Sequence, residues 1–214
     1  MTIGFVDPDV TRRKVERDLE LWEKNSNHRE RGWLLLDYNE NVPAIDIGFL
    51  ARLSINAGIT FLPAMVCAIR LSYENYDLWP PSLTFIDVFS REPTRPHVRA
   101  IAPTPEGPRD VLIDSHPSTA QPFLCFPGIR EYHSHPQHTG DDWLLHRSRQ
   151  EGSVSIICER IWRLMVRNVL GLSVGLQALP VWPLKAQLQI TLAQGEFMDR
   201  KGASADEGRG EDQK

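Results

Sequence analysis

Cysteine is scarce: the 214 residues hold three, Cys67, Cys125 and Cys158, set far apart. An odd, widely spaced set excludes a disulfide framework and suits a reducing compartment. Long apolar runs are missing as well. No stretch reaches the roughly 18 residues that a spanning helix needs, and the first thirty residues are polar and charged. Neither a membrane span nor a secretory leader is therefore expected, and the chain reads as cytoplasmic. Charge of one sign is not in excess. Twenty-four Lys and Arg against 28 Asp and Glu leave a net charge of −4, which gives no field for nucleic acid or a lipid surface and favours a protein or small-molecule partner. A Gly-rich phosphate loop and a Ser-His-Asp order are also lacking, so neither nucleotide binding nor serine hydrolysis is indicated. What remains is ordinary globular usage, 41% hydrophobic and 24% charged. Such a chain folds, and at this length it can build one core.

Val15, Leu19 and Trp22 recur at spacings of four and three behind Asp9, which predicts an amphipathic helix over about residues 10 to 25 with Asp9 as its cap. Its start is basic, with Arg12, Arg13, Lys14 and Arg17, against the preference of the helix dipole for negative charge there. This is a solvated face or a docking surface for an acidic partner. From Trp33 the pattern becomes strand-like: Trp33 to Leu36, Leu50 to Leu62, Met65 to Tyr73 and Leu83 to Val88 read as four extended segments of a meander. Prolines at 93, 96, 103, 105, 108, 117 and 122 crowd residues 90 to 122, where no long regular element is expected. Residues 153 to 170 return to helical spacing, with Ser153 as a candidate cap. Leu172 to Leu192, broken by Gly175, Pro180 and Pro183, reads as a short helix followed by a strand. From Glu196 the composition is that of a disordered tail, which leaves a single domain over residues 1 to 195 and a tail over 196 to 214.

Three segments occur in an order that resembles the ubiquitin-conjugating enzymes. Tyr76-Asp77-Leu78-Trp79-Pro80-Pro81 has the tyrosine-to-diproline spacing of that family, with Ser82 to Phe85 as the strand that follows. His116-Pro117-Ser118 resembles its His-Pro-Asn motif, Phe123-Leu124-Cys125 falls within one residue of the spacing to its nucleophilic cysteine, and Trp143 resembles its later tryptophan. The likeness spans roughly residues 10 to 170. It implies an α+β fold of ubiquitin-conjugating type: an N-terminal helix, a four-stranded antiparallel meander and a C-terminal helix. It implies, too, a transferase that accepts a ubiquitin-like protein from an activating enzyme as a thioester on Cys125 and passes it to an amine on a protein target. Such a chain needs no cofactor, nucleic acid or membrane, and a bacterial conjugation pathway of the antiviral-defence type would be its setting. His116 would shape the loop under the cysteine, and Arg12, Arg13 and Arg17 would dock the activating enzyme. Ser118 departs from the family's asparagine, whose amide supports the oxyanion; a serine hydroxyl donates but reaches less far.

The segment Glu131-Tyr132-His133-Ser134-His135-Pro136-Gln137-His138 is an insertion relative to that family. His133, His135 or His138 can lower the thiol pKa as imidazolium or accept the proton of an incoming amine. The same residues also resemble the Cys-Glu-His-His pattern of a predicted metal-binding family encoded beside bacterial ubiquitin-like proteins. On that likeness Cys125, Glu131, His133 and His135 or His138 would hold zinc, and the chain would be a non-catalytic adaptor of the same fold. A thiolate bound to zinc is not free to attack, so the two readings exclude each other. Cys67 and Cys158 fall in apolar patterns and read as core thiols. Trp143 reads as a core anchor and Tyr132 as loop packing, while Asp141 and Asp142 read equally as caps or as groups that orient an amine.

Overall fold

A computed structural model describes residues 5–55, 61–179 and 185–194. The expected tail from residue 196 lies outside these. The first helix, α1 (Pro8–Lys24), is capped by Asp7, not Asp9: the Asp7 carboxylate accepts from the Asp9 amide at 2.8 Å. Pro8 explains the shift. It sits in the first turn, where a missing N–H costs nothing, and Asp9 then places its charge at the positive end of the dipole. Thr11, Val15, Leu19 and Trp22 form the buried face of α1. A one-turn helix, α2 (Asn27–Glu30), follows.

Strands β1 (Trp33–Asn39), β2 (Ala44–Ile55), β3 (Phe61–Ser72) and β4 (Ser82–Ile86) pair in sequence as an antiparallel meander. Four strands were expected, but the second begins at Ala44, not Leu50, and the stretch read as Leu50 to Leu62 runs across the β2–β3 connection. Asp46 and Gly48, which look like strand breakers, are both accommodated. Asp46, only 3% exposed, accepts two hydrogen bonds from Arg70 on the neighbouring strand, each 2.8 Å. A Cβ on Gly48 would come within 2.9 Å of the Met65 side chain. β4 stops at Ile86 because the Asp87 carboxylate accepts from the amides of Phe89 and Ser90 and turns the chain.

The proline-rich stretch contains only short pieces: a hairpin of β5 (Ile101–Thr104) and β6 (Gly107–Asp110), then β7 (Leu112–Ile113) paired with β8 (Phe123–Leu124). Three helices come next, α3 (Arg130–His133), α4 (Trp143–Arg147) and α5 (Val154–Ile161). Ser153 caps α5, and a π-helical turn, Trp162–Val166, ends it. The helix predicted to continue to residue 170 thus stops earlier, and the short helix expected after Leu172 is absent. In its place β9 (Val169–Leu179) and β10 (Lys185–Gln194) form an antiparallel hairpin. β9 joins β2 in parallel through Ser54↔Gly171 and Ile55↔Leu172, an approach that glycine permits, since a Cβ on residue 171 would lie 2.9 Å from the Ser54 carbonyl oxygen.

The result is a mixed α/β architecture whose sheet is built on a four-stranded antiparallel meander, with β9 joined to it in parallel. One apolar cluster joins α1, the sheet and α5: Val15, Trp22, Ile47, Phe49, Ile69 and Leu71 meet Ile157, Ile161 and Met165. Among the described residues no helix is long and apolar enough to cross a membrane.

Candidate functional site

Phe123 and Leu124 are buried in β8, and the pairing of this short strand fixes the position that follows it. There the Cys125 amide donates to the Val111 carbonyl at 3.0 Å and its thiol is half-buried, whereas Cys67 and Cys158 are enclosed in the core. After Cys125 the chain turns at Gly128, whose φ of +102° and contact with the Glu151 carbonyl oxygen leave no room for a side chain. α3 is docked by the Arg130 amide on the Pro81 carbonyl, 2.8 Å. A 3-10 turn, Pro136–His138, then doubles back and brings His138 Nε2 to 3.1 Å from Cys125 Sγ.

Burial pushes the Cys125 thiol above its ordinary pKa, with the Arg109 guanidinium acting in the opposite sense. Burial and the neighbouring His135 hold His138 below the usual imidazole value. Both shifts favour a neutral thiol donating to a neutral imidazole near pH 7, a pair in which the nitrogen is free to take the sulfur proton as attack begins.

A polar chain runs on from this pair. The ring of His138 stacks on Tyr132, centroids 3.9 Å apart. The Tyr132 hydroxyl donates to Asp141 Oδ2 at 2.7 Å, His146 Nε2 donates to Asp141 Oδ1 at 2.6 Å, and His146 Nδ1 donates to Glu151 Oε2 at 3.0 Å. Arg160 closes it on Glu151 at 3.0 Å. An imidazole that donates from both nitrogens is an imidazolium, in keeping with the upward shift that the Asp141 and Glu151 bonds give His146. Asp141 is held low by its bonds to His146 and Tyr132, while burial and then Asp141 push the phenol of Tyr132 up to about 12.

The other sequence-derived candidates take different places. His133 donates from Nδ1 to the Asp141 carbonyl, 2.9 Å, and accepts from the Gly128 amide at Nε2, 3.1 Å, so both nitrogens brace the loop. His135 stacks on Phe123 and its Nδ1 accepts from the Gln137 amide. His116 is buried and takes the Ser118 hydroxyl at Nδ1, 2.9 Å, with Ser134 Oγ 3.4 Å from Nε2. The exposed Ser118 is thereby tied to His116. Arg12 pairs with Asp9 and Glu16 along α1, and Arg13 and Arg17 are exposed.

The zinc set is not assembled. Glu131 is buried and accepts from the Ser82 hydroxyl and from the Leu83 amide, 3.0 Å, which pins α3 to β4. His133 has both nitrogens engaged, so of Cys125, Glu131, His133, His135 and His138 only the first and last touch through donor atoms. Among the described residues no group of three or more His, Cys, Asp or Glu is arranged to hold a metal ion. A closed zinc site needs about four converging ligands, and the hydrogen bonds of Glu131 and His133 turn their donor atoms to other partners.

Sequence reasoning left open which imidazole meets the thiol, and it missed His146, Glu151 and Arg109. The first two are spaced five apart, His146 in the last turn of α4 and Glu151 beyond its end, without a motif. Arg109 lies within the proline-rich stretch, in β6, where no spacing rule ties it to Cys125.

The chain is similar to the uncharacterized protein y4jH of Sinorhizobium fredii (strain NBRC 101917 / NGR234), with 30% identity over 183 residues, covering 73% of this chain and 82% of the relative. The Y4jH-like description, Y4jH family, matches residues 6–102 and 109–169, and the break between the two stretches falls at the tip of the β5–β6 hairpin. The second stretch carries Cys125, Tyr132, His138, Asp141 and His146. With both stretches matched, the chain belongs to the Y4jH-like family.

Proposed function

We propose that this chain is a conjugating enzyme of ubiquitin-conjugating type, which carries a ubiquitin-like protein as a thioester on Cys125. The observation that supports this most is the half-exposed thiol with an imidazole nitrogen 3.1 Å from the sulfur. The order of helix, antiparallel meander, cysteine loop and helix agrees with the resemblance read from Tyr76, the diproline, His116 and Trp143.

In the loading step the Cys125 sulfur attacks the thioester carbonyl of a ubiquitin-like protein held by its activating enzyme. The sulfur proton passes to His138 Nε2, the tetrahedral intermediate collapses, and the activating enzyme's thiolate leaves and takes a proton back. In the discharge step a target amine attacks the new thioester, gives up a proton to the same nitrogen, and expels the Cys125 sulfur. A balanced surface charge and a protein-sized donor fit recognition by docking surfaces. Arg12, Arg13 and Arg17 on α1 are the surface assigned to the activating enzyme, Arg12 also pairing with Asp9 and Glu16, and the product is an amide on a protein target.

The test mixes the chain with an activating enzyme, its ubiquitin-like protein and ATP, and reads a non-reducing gel. The expected result is an adduct that thiol reagents cleave, replaced by a thiol-resistant ester in Cys125→Ser and lost in Cys125→Ala. An adduct that survives in Cys125→Ala overturns the assignment.

A further inference from the structure

Tyr132 stands outside the thiol–imidazole pair yet touches it. Its ring lies nearly parallel to that of His138, 22° between planes, and its hydroxyl is fixed by Asp141. Asp141 is fixed in turn by His146, and His146 by Glu151. A tyrosine that only filled space here would need none of this, because a phenylalanine would pack as well and spare the chain a string of partly buried charged groups. The turn that carries His138 is held through its backbone, by the His138 amide on the His135 carbonyl at 2.9 Å and the Asp141 amide on the His138 carbonyl at 3.1 Å, but such bonds and three residues of 3-10 helix do not lock an imidazole rotamer.

We infer that Tyr132 is a positioning residue for His138. Its ring is the platform on which the imidazole rests, and the Asp141–His146–Glu151 chain sets the angle of that platform so that Nε2 stays within reach of Cys125 Sγ. This deepens the acyl-carrier reading and rests on it for a role in conjugation. Its geometry, however, can be tested with chemistry that needs no partner protein.

The experiment is alkylation of the full chain by iodoacetamide, with initial rates at Cys125 followed across pH by peptide mass mapping. Cys67 and Cys158, 8% and 0% exposed, serve in the same sample as reporters of unfolding. His138→Ala is expected to slow Cys125 labelling at neutral pH by about tenfold and to move the profile to alkaline pH, since the imidazole no longer takes the sulfur proton. Tyr132→Leu is expected to do the same, and Tyr132→Phe to cost about threefold, the platform being kept and only its anchor lost. In the His138→Ala background, Tyr132→Leu is expected to add nothing.

Wild-type profiles in both Tyr132 variants overturn the inference, as does equal slowing by Tyr132→Leu with and without His138. If Tyr132→Leu exposes Cys67 and Cys158, Tyr132→Phe decides alone, and an unchanged profile in that variant overturns the inference. A chain that behaves as expected here but forms no thioester sustains the positioning role and sinks the acyl-carrier reading.

Discussion

Asp18 shows how one carboxylate can tie two helices together at a cost that depends on pH. It projects from α1, and its Oδ2 accepts from the Val154 amide at the start of α5 at 2.7 Å. Burial pushes its pKa up to about 6, while the hydrogen bond from Val154 pulls the other way. A folded-state value above that of an unfolded aspartate means that the protonated form is favoured by the fold. The stability gained is complete below about pH 4 and is lost as pH rises through about 6. Asp18→Asn keeps an acceptor for the amide and removes the charge. It is expected to stabilise the protein by about 1–2 kcal/mol at pH 8, with the full shift discounted for partial solvent access, and to be near neutral at pH 4. Urea unfolding at the two pH values checks this; equal effects at both would show that charge burial is not the cause. His146 acts in the same direction, because its raised value makes its two carboxylate bonds strongest at mildly acidic pH. At this scale the half-buried position of Cys125, against the enclosed Cys67 and Cys158, agrees with its place in the ordered string from His116 to Trp143. Which of His133, His135 and His138 meets the sulfur was illegible, because an irregular turn decides it.

Among the elements, the loop from Cys125 to α3 depends on a single backbone conformation. Gly128 has φ +102° and no space for a Cβ against the Glu151 carbonyl, whereas Gly140, at φ +98°, faces open space. Comparing alanine at the two sites therefore separates strain from collision. Gly140→Ala is expected to cost about 1 kcal/mol and Gly128→Ala about 3 kcal/mol or more, measured by thermal unfolding. Equal losses would mean that the Glu151 contact yields. The elements themselves were unevenly readable. α1 follows from Val15, Leu19 and Trp22, but its cap is displaced by Pro8. In β2, Asp46 and Gly48 hide the strand because their partners, Arg70 and Met65, lie on the next strand, beyond any local window. β9 and β10 were readable in principle: Leu170, Leu172, Val174, Leu176 and Ala178 alternate, as do Ala186, Leu188, Ile190 and Leu192. Gly175, Pro180 and Pro183 drew attention away from that period of two. In the sequence both prolines fall between the two strands, not within either.

Among the described residues one core organises the molecule. α1, the sheet and α5 share a single cluster, so none of them has a separate apolar interior to fall back on. Ile157, fully buried in α5, is in contact with that cluster. Ile157→Ala is expected to cost about 2–4 kcal/mol and to lower the tryptophan-fluorescence and far-ultraviolet dichroism midpoints together. Separated midpoints would show that α5 unfolds on its own. The architecture of helix, meander and helix was foreseen from the sequence, while the hairpin that widens the sheet was not.

That hairpin has a kinetic consequence. β1 to β4 find one another through short connections, so their pairing costs little loop-closure entropy. β9 meets β2 at Ser54↔Gly171, after more than about a hundred intervening residues have been gathered in. The parallel seam is then expected to be the last part of the sheet to close, since one end of β2 has no partner there until Gly171 and Leu172 have been made.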